Sequence, residues 1–176
     1  VLFRFSSCAS RQLEEVTFRR ATISVPELMA TAGKYFRKVY KGNKAHIDFK
    51  IQPLEGRITG DWNQLRFLLE NLIDEACSVT LDGAVCLSAR EDGEFIRFLF
   101  TDMRREKTRE ELNQLFYPDL SRMTAGEKGE LYGTEYLVCK QIIRDHDEFA
   151  GRRGCRINAE PGKEGGFTIY FTLPKK

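Results

Sequence analysis

The most regular hydrophobic pattern in the chain runs from Asp61 to Thr80. Apolar residues recur there at intervals of three and four, which places them on one face of a helix. Asp61 stands at the N-cap position with Gln64 three residues later, in the manner of a capping box, and a turn at 81–83 follows. The stretch therefore predicts a buried amphipathic helix. Its apolar face consists of Leu65, Leu68, Leu69, Leu72, Ile73, Ala76 and Val79.

Two other long stretches have a helical period. The first begins after Ser24, has Pro26 in the first turn, where proline is favoured, and ends at Gly42-Asn43. The second covers residues 131–145, and a shorter helix precedes Pro118. We therefore predict main helices near residues 26–40, 62–79 and 132–145.

Runs of alternating or continuous apolar residues predict the strands. Residues 45–51 alternate and are followed by a turn and by residues 57–59, which indicates a short hairpin. Residues 84–89 and 95–100 flank Asp92-Gly93, a strong hairpin signal, and should form the middle of the sheet. Residues 156–159 and 167–173 predict a closing hairpin. The order of elements predicts an α/β sandwich: a mixed, mostly antiparallel sheet of about five strands with three helices on one face.

Composition and residue spacing argue against several classes of function. The chain has 176 residues, a formal net charge of +2 and no run that approaches 18 apolar residues, so we expect a domain of cytoplasmic type. The arginine doublets have no interleaved aromatic residues, which argues against a nucleic-acid partner. Neither His46 nor His146 has a partner at metal-ligand spacing. We expect the cysteines to be reduced and mostly in the core, because they are odd in number and form no C-x-x-C. They are Cys8, Cys77, Cys86, Cys139 and Cys155.

Two segments lie outside this regular pattern. Residues 1–20 contain scattered apolar positions and end in Arg19-Arg20, which predicts the end of an upstream helical segment of dimerisation type. The main domain is then residues 21–176. Residues 119–130 contain Gly126 and Gly129 and few apolar residues, so we predict a mobile loop there.

Four ordered stretches of the chain also carry recognisable motifs. They are Gly60-Asp61 with Asn71–Ala76, Asp102 with Leu112–Pro118, Gly133 with Val138–His146, and Arg156–Pro174. In this order they resemble the asparagine box, the two glycine boxes and the closing hairpin of the ATP-binding catalytic domain of sensor histidine kinases. These domains belong to the GHKL superfamily of ATPases and have the Bergerat fold. The resemblance covers most of the chain from Ala21 onward.

The resemblance implies a function and a site. In an active relative, Asn71, Asp102 and Gly133 would bind ATP, with Asp102 accepting a hydrogen bond from the adenine amino group. Glu75, in the place of a second asparagine, would be the ligand of Mg²⁺. The γ-phosphate would go to a histidine on an upstream dimerisation domain, and from there to a response regulator of a bacterial two-component system. The full-length protein would be a homodimer, and its attachment to a membrane is left open.

The sequence departs from the family in the first glycine box and in the closing hairpin. Arg104 and Glu106 take the places of two glycines, and Phe167 takes that of a threonine near the adenine. Side chains at these positions hinder the close approach of a nucleotide. The alternation of residues in the last strand directs the Phe167 ring to the core, where an adenine would otherwise stack. We therefore predict that Arg104 and Phe167 block the pocket.

The second glycine box departs in the same way. Leu131 and Glu135 replace glycines on either side of Gly133, and Glu135 adds negative charge where the triphosphate would lie. Two functions remain open: a histidine kinase domain that still binds Mg-ATP, and a pseudokinase that serves as a regulatory interaction module without nucleotide.

Overall fold

The computed structural model describes residues 17–117 and 134–176. The predicted loop at 119–130 and nearly all of the predicted upstream segment at 1–20 lie outside these ranges. In chain order the described elements are β1 (Ala21–Ser24), α1 (Val25–Tyr40), β2 (Ile47–Gln52), β3 (Arg57–Gly60), α2 (Trp62–Cys77), β4 (Gly83–Asp92), β5 (Phe95–Asp102), α3 (Arg109–Gln114), α4 (Thr134–Phe149), β6 (Ile157–Pro161) and β7 (Phe167–Pro174).

The main layer is a five-stranded sheet in the order β2-β4-β5-β7-β6. β2 pairs parallel with β4, and the other neighbours pair antiparallel. Buried and partly buried residues alternate along β5, as expected for a strand with one face on the core. The apolar residues of α1, α2 and α4 share one core with that face. The predicted sandwich with a mixed, mostly antiparallel sheet is therefore confirmed.

The starts of the two central helices follow from their capping residues. Ser24 accepts a hydrogen bond from the Glu27 amide and precedes Pro26 at the start of α1. Asp61 accepts one from the Gln64 amide at the start of α2. Each side chain satisfies an amide that the helix itself leaves unpaired. The predicted helix starts are therefore confirmed. α4 continues to Phe149, beyond the predicted end at residue 145.

The predicted hairpin between residues 45–51 and 57–59 is wrong. β3 pairs antiparallel with β1 in a separate two-stranded sheet, with Ile23 opposite Ile58. β2 instead pairs with β4 across the crossover that contains α2. The physical reason lies in burial: Ile23 and Ile58 are both buried in the core when they face each other. The two hairpins predicted around Gly93 and before Phe167 are confirmed.

Among residues 17–117 and 134–176, no helix has the length and apolar character needed to cross a bilayer.

Candidate functional site

Asp102 ends β5 and lies opposite Phe167, the first residue of β7. Its carboxylate accepts four hydrogen bonds from the two arginines that follow. Oδ1 accepts from the Arg104 amide at 3.0 Å and from Arg104 Nε at 2.9 Å. Oδ2 accepts from Arg104 Nη2 at 2.9 Å and from Arg105 Nε at 3.0 Å. A carboxylate has about four acceptor positions, so that of Asp102 is fully used.

Arg104 also binds the end of helix α2. Its Nη2 donates to the carbonyl of Ala76 at 2.5 Å, and its Nη1 donates to those of Val79 at 3.0 Å and Leu81 at 2.9 Å. Carbonyls at a helix C-terminus have no partner within the helix, and a cation is favoured there. The side chains of Arg104 and Asp102 are each only 1% exposed. Arg104 is therefore a buried link between β5 and the end of α2.

The charges of this cluster influence two titratable groups. Burial alone would raise the pKa of Asp102, but the hydrogen bonds and charge of Arg104, with the charge of Arg105, outweigh it and hold that pKa below its ordinary value. Burial raises the pKa of the nearby Cys77 thiol to about 11, against the opposing charge of Arg104. Asp102 is therefore ionised and Cys77 is a neutral thiol at pH 7.

The lowered pKa of Asp102 predicts a loss of stability in acid. The ionised form stabilises the fold fully above the unfolded-state pKa of about 3.9, and this contribution disappears as pH falls through the lower folded-state value. We expect Asp102→Asn to show a smaller fall in the free energy of unfolding below about pH 4, measured by urea denaturation at several pH values. Asp48→Asn is the control, because that side chain is 67% exposed. Equal acid slopes in wild type and Asp102→Asn would contradict this prediction.

Glu106 and Gly166 are in contact beside Asp102. Glu106 Oε1 accepts a hydrogen bond from the Gly166 amide at 2.8 Å. Gly166 has φ +70°, and a Cβ built on it would lie 2.1 Å from the backbone oxygen of Asp102. Only glycine fits at this close approach of two strands. Glu106 thus binds a backbone amide at the start of β7.

Phe167 is buried against the core, in agreement with its predicted orientation. The Arg105 guanidinium lies 5.4 Å and the Lys107 ammonium 5.3 Å from the centre of its ring. Cations at this distance from an aromatic ring are attracted to its face. The ring is therefore held between the apolar core and two basic side chains.

The asparagine-box residues lie on α2. The side-chain amide of Asn71 is buried and donates to the carbonyl of Phe67 in its own helix at 2.7 Å. Asp74 accepts hydrogen bonds from the hydroxyls of Tyr35, at 2.8 Å, and Tyr40. Glu75 is partly buried. No group of three or more metal-ligating side chains occurs within residues 17–117 and 134–176.

The structure thus brings three of the predicted site residues together: Asp102, Arg104 and Phe167. Gly133 and the side chain of Glu135 lie outside the described part of the chain. The sequence did not predict the contacts of Arg104 with the end of α2, and the only signal for them was an arginine in the place of a glycine. All acceptor positions of the Asp102 carboxylate are occupied by the two arginines, whereas the resemblance implies that this carboxylate accepts from an adenine.

Residues 60–176, more than half of the chain, match the model of the histidine kinase-, DNA gyrase B- and HSP90-like ATPases. The chain belongs to this family. The predicted resemblance is therefore confirmed, and so is the relationship to the ATPase domains of sensor histidine kinases.

Individual proteins are similar to this chain in sequence or in fold. The chain is 30% identical over 138 residues to the adaptive-response sensory kinase SasA of Thermosynechococcus vestitus, which covers 77% of this chain and 34% of SasA. It thus spans about a third of the length of that relative. The nucleotide-free catalytic domain of the histidine kinase ThkA has a similar fold, with a TM-score of 0.67, 19% identity and coverage of 91% of this chain and 97% of ThkA's. The structure of ThkA in complex with the response regulator TrrA is also similar, with a TM-score of 0.71 and 18% identity. The match covers 99% of this chain and 48% of the ThkA chain.

Proposed function

We propose that this chain is the catalytic-type domain of a bacterial two-component sensor histidine kinase and that it acts as a pseudokinase, without binding ATP. Membership of the ATPase family supports the first part. The second part is supported by the contacts of Asp102, because its carboxylate already accepts four hydrogen bonds from Arg104 and Arg105. An adenine amino group would need one of these acceptor positions.

Displacing Arg104 would be unfavourable for a nucleotide. Its guanidinium would lose three backbone carbonyls together with the carboxylate, and of these contacts only the one with Leu81 is exposed. Leaving a buried charge without its partner costs about 3–5 kcal/mol. A nucleotide bound at micromolar affinity gains about 8 kcal/mol in total. Displacing Arg104 would use a large part of that gain.

Three other observations support the same proposal. Phe167 is buried where the resemblance places the adenine. The Asn71 amide already donates to its own helix. Glu106 puts a carboxylate on the Gly166 amide, so this backbone donor beside Phe167 is already used. Glu75, Gly133 and Glu135 complete the proposed site on the resemblance alone, with Glu75 the proposed Mg²⁺ ligand.

The partners we propose follow from the family. Residues 1–20 would be the end of an upstream dimerisation domain, so that the full-length protein is a homodimer. The fold shared with ThkA, whose structure contains a response regulator, makes such a regulator the proposed second partner. In this role the domain would regulate its partners by contact, in the cytoplasm, without phosphoryl transfer.

The proposal is tested by calorimetric titration with Mg-ATP. We expect no binding heat and no change in melting temperature for wild type at millimolar ATP. A ligand present at 100 times its dissociation constant would stabilise the protein by about 2.7 kcal/mol, so binding would be readily detected. Micromolar affinity in wild type would instead establish the alternative, a nucleotide-binding kinase domain.

A variant pair separates pocket blocking from a general loss of function. Arg104→Gly with Phe167→Thr restores the family's residues at both blocking positions, and we expect it to gain measurable affinity for Mg-ATP. The matched control is Arg105→Gly with Phe167→Thr, which leaves the Arg104 contacts with Asp102 and α2 in place. Equal affinities of the two double variants would show that Arg104 is not the obstacle.

A further inference from the structure

Residues 17–20, which we call the strap, precede β1 and lie across the ends of α2 and α4. The ring of Phe18 meets the ring of His146 edge to face at 4.8 Å, and its centre is 5.8 Å from that of Phe149. The backbone amide of Arg19 donates to Asp61 Oδ2 at 2.9 Å. The strap therefore makes two aromatic contacts with α4 and donates a hydrogen bond to the cap of α2.

His146 joins the same two helices behind the strap. Its side chain is fully buried, Nε2 accepts a hydrogen bond from the Asp61 amide at 3.0 Å, and Nδ1 lies 2.8 Å from the carbonyl of Ile142. Because Nε2 is the acceptor, the proton is on Nδ1, which donates to that carbonyl. Asp61 thus contacts the strap, α4 and the first turn of α2 at once.

The opposite end of α2 is held by Arg104. Its guanidinium binds the carbonyl of Ala76 in the last turn and those of Val79 and Leu81 just beyond the helix. The same guanidinium holds the Asp102 carboxylate. The first turn of α2 therefore lies next to the strap, and the last turn of α2 contacts the Asp102–Arg104 pair.

From this arrangement we propose that the strap, α2 and the Asp102–Arg104 pair open and close as one cooperative unit. A force on the chain before Thr17 would pull the Arg19 amide from Asp61, weaken the first turn of α2 and thereby release Arg104. The strap would be the element through which the preceding part of the protein acts on the site. The inference goes beyond the proposed function, since it concerns contacts within the domain and does not depend on whether ATP binds.

Amide hydrogen exchange of Asp61→Asn tests this inference. Asparagine caps a helix about as well as aspartate, but while its oxygen accepts from the Gln64 amide its NH2 group takes the place of Oδ2 and cannot accept from the Arg19 amide. The strap therefore loses one hydrogen bond while the cap remains. If the unit is cooperative, exchange of the Arg104 amide accelerates about fivefold, the factor expected for one hydrogen bond, together with that of the Arg19 amide. In wild type, the Arg104 amide should exchange faster than the Phe98 amide in the middle of the sheet.

Two further variants complete the test. Phe18→Ala removes the two aromatic contacts of the strap and leaves Asp61 intact, so it should accelerate exchange at Arg104 in the same way. Asp92→Asn is the matched control. Asp92 pairs with Arg97 near the turn of the β4–β5 hairpin, at the end opposite Asp102, so this substitution should leave both exchange rates unchanged. An Arg104 rate that is unaffected in both strap variants would overturn the inference. So would an Arg104 amide that exchanges only as slowly as Phe98, because the pair would then open only with the whole domain.

Discussion

Arg104→Ala is expected to lower the free energy of unfolding by about 3–5 kcal/mol. The substitution leaves the Asp102 carboxylate buried with Arg105 as its remaining basic partner, and it removes the donors to the carbonyls of Ala76, Val79 and Leu81. Most of the expected loss comes from the Asp102 carboxylate, because a buried charge that loses its main partner is costly. Urea denaturation at pH 7, followed by circular dichroism, gives the change directly.

Arg105→Ala is the matched control for this prediction. The Arg105 side chain is 17% exposed and donates one hydrogen bond to Asp102, so we expect a loss of about 1.5–3 kcal/mol at most, the range for one hydrogen bond to a charged group. A loss for Arg104→Ala no larger than that of Arg105→Ala would show that the contacts with α2 contribute little. The role of Arg104 as a structural link would then be wrong.

The sequence predicted the long elements of the fold well because their periodicity is strong. α2 carries six of the seven apolar residues predicted for its face, all but Val79, and the predicted N-cap aspartate, and both features are visible in the sequence. The pairing of β1 with β3 was missed, since each strand has only four residues and such short runs have hardly any measurable period. The parallel pairing of β2 with β4 could not be predicted from a turn, because parallel strands are joined by a long crossover, which here contains α2.

The site was predictable in position but not in its contacts. The resemblance placed Arg104 and Phe167 where the family has small residues, and the strand alternation indicated that the Phe167 ring faces the core. The partners of Arg104 could not be predicted in this way. They are backbone carbonyls 23 to 28 residues away in sequence, and a backbone acceptor carries no side-chain identity from which a pairing could be inferred.

The retained and lost glycines of the family motifs can be separated on physical grounds. At the positions of Arg104 and Glu106 the resemblance implies glycines that serve a ligand, and in this chain the two side chains bind partners within the domain. At Gly166 the glycine serves the backbone, since a Cβ would strike the oxygen of Asp102. If the domain binds no nucleotide, as we propose, it can lose glycines of the first kind but must keep those of the second.

Gly166→Ala is accordingly expected to be strongly destabilising, by about 2–5 kcal/mol. About 1–2 kcal/mol comes from placing a Cβ on a residue with φ +70°, and about 1–3 kcal/mol from overpacking against the Asp102 oxygen, 2.1 Å from the new atom. Gly93→Ala separates the two contributions, because Gly93 has φ +61° and open space around its Cβ, so it should lose only the first 1–2 kcal/mol. Urea denaturation of both variants measures the difference. Equal losses would mean that the strands move apart freely at Asp102, and that the approach of β7 to the site is not fixed by this glycine.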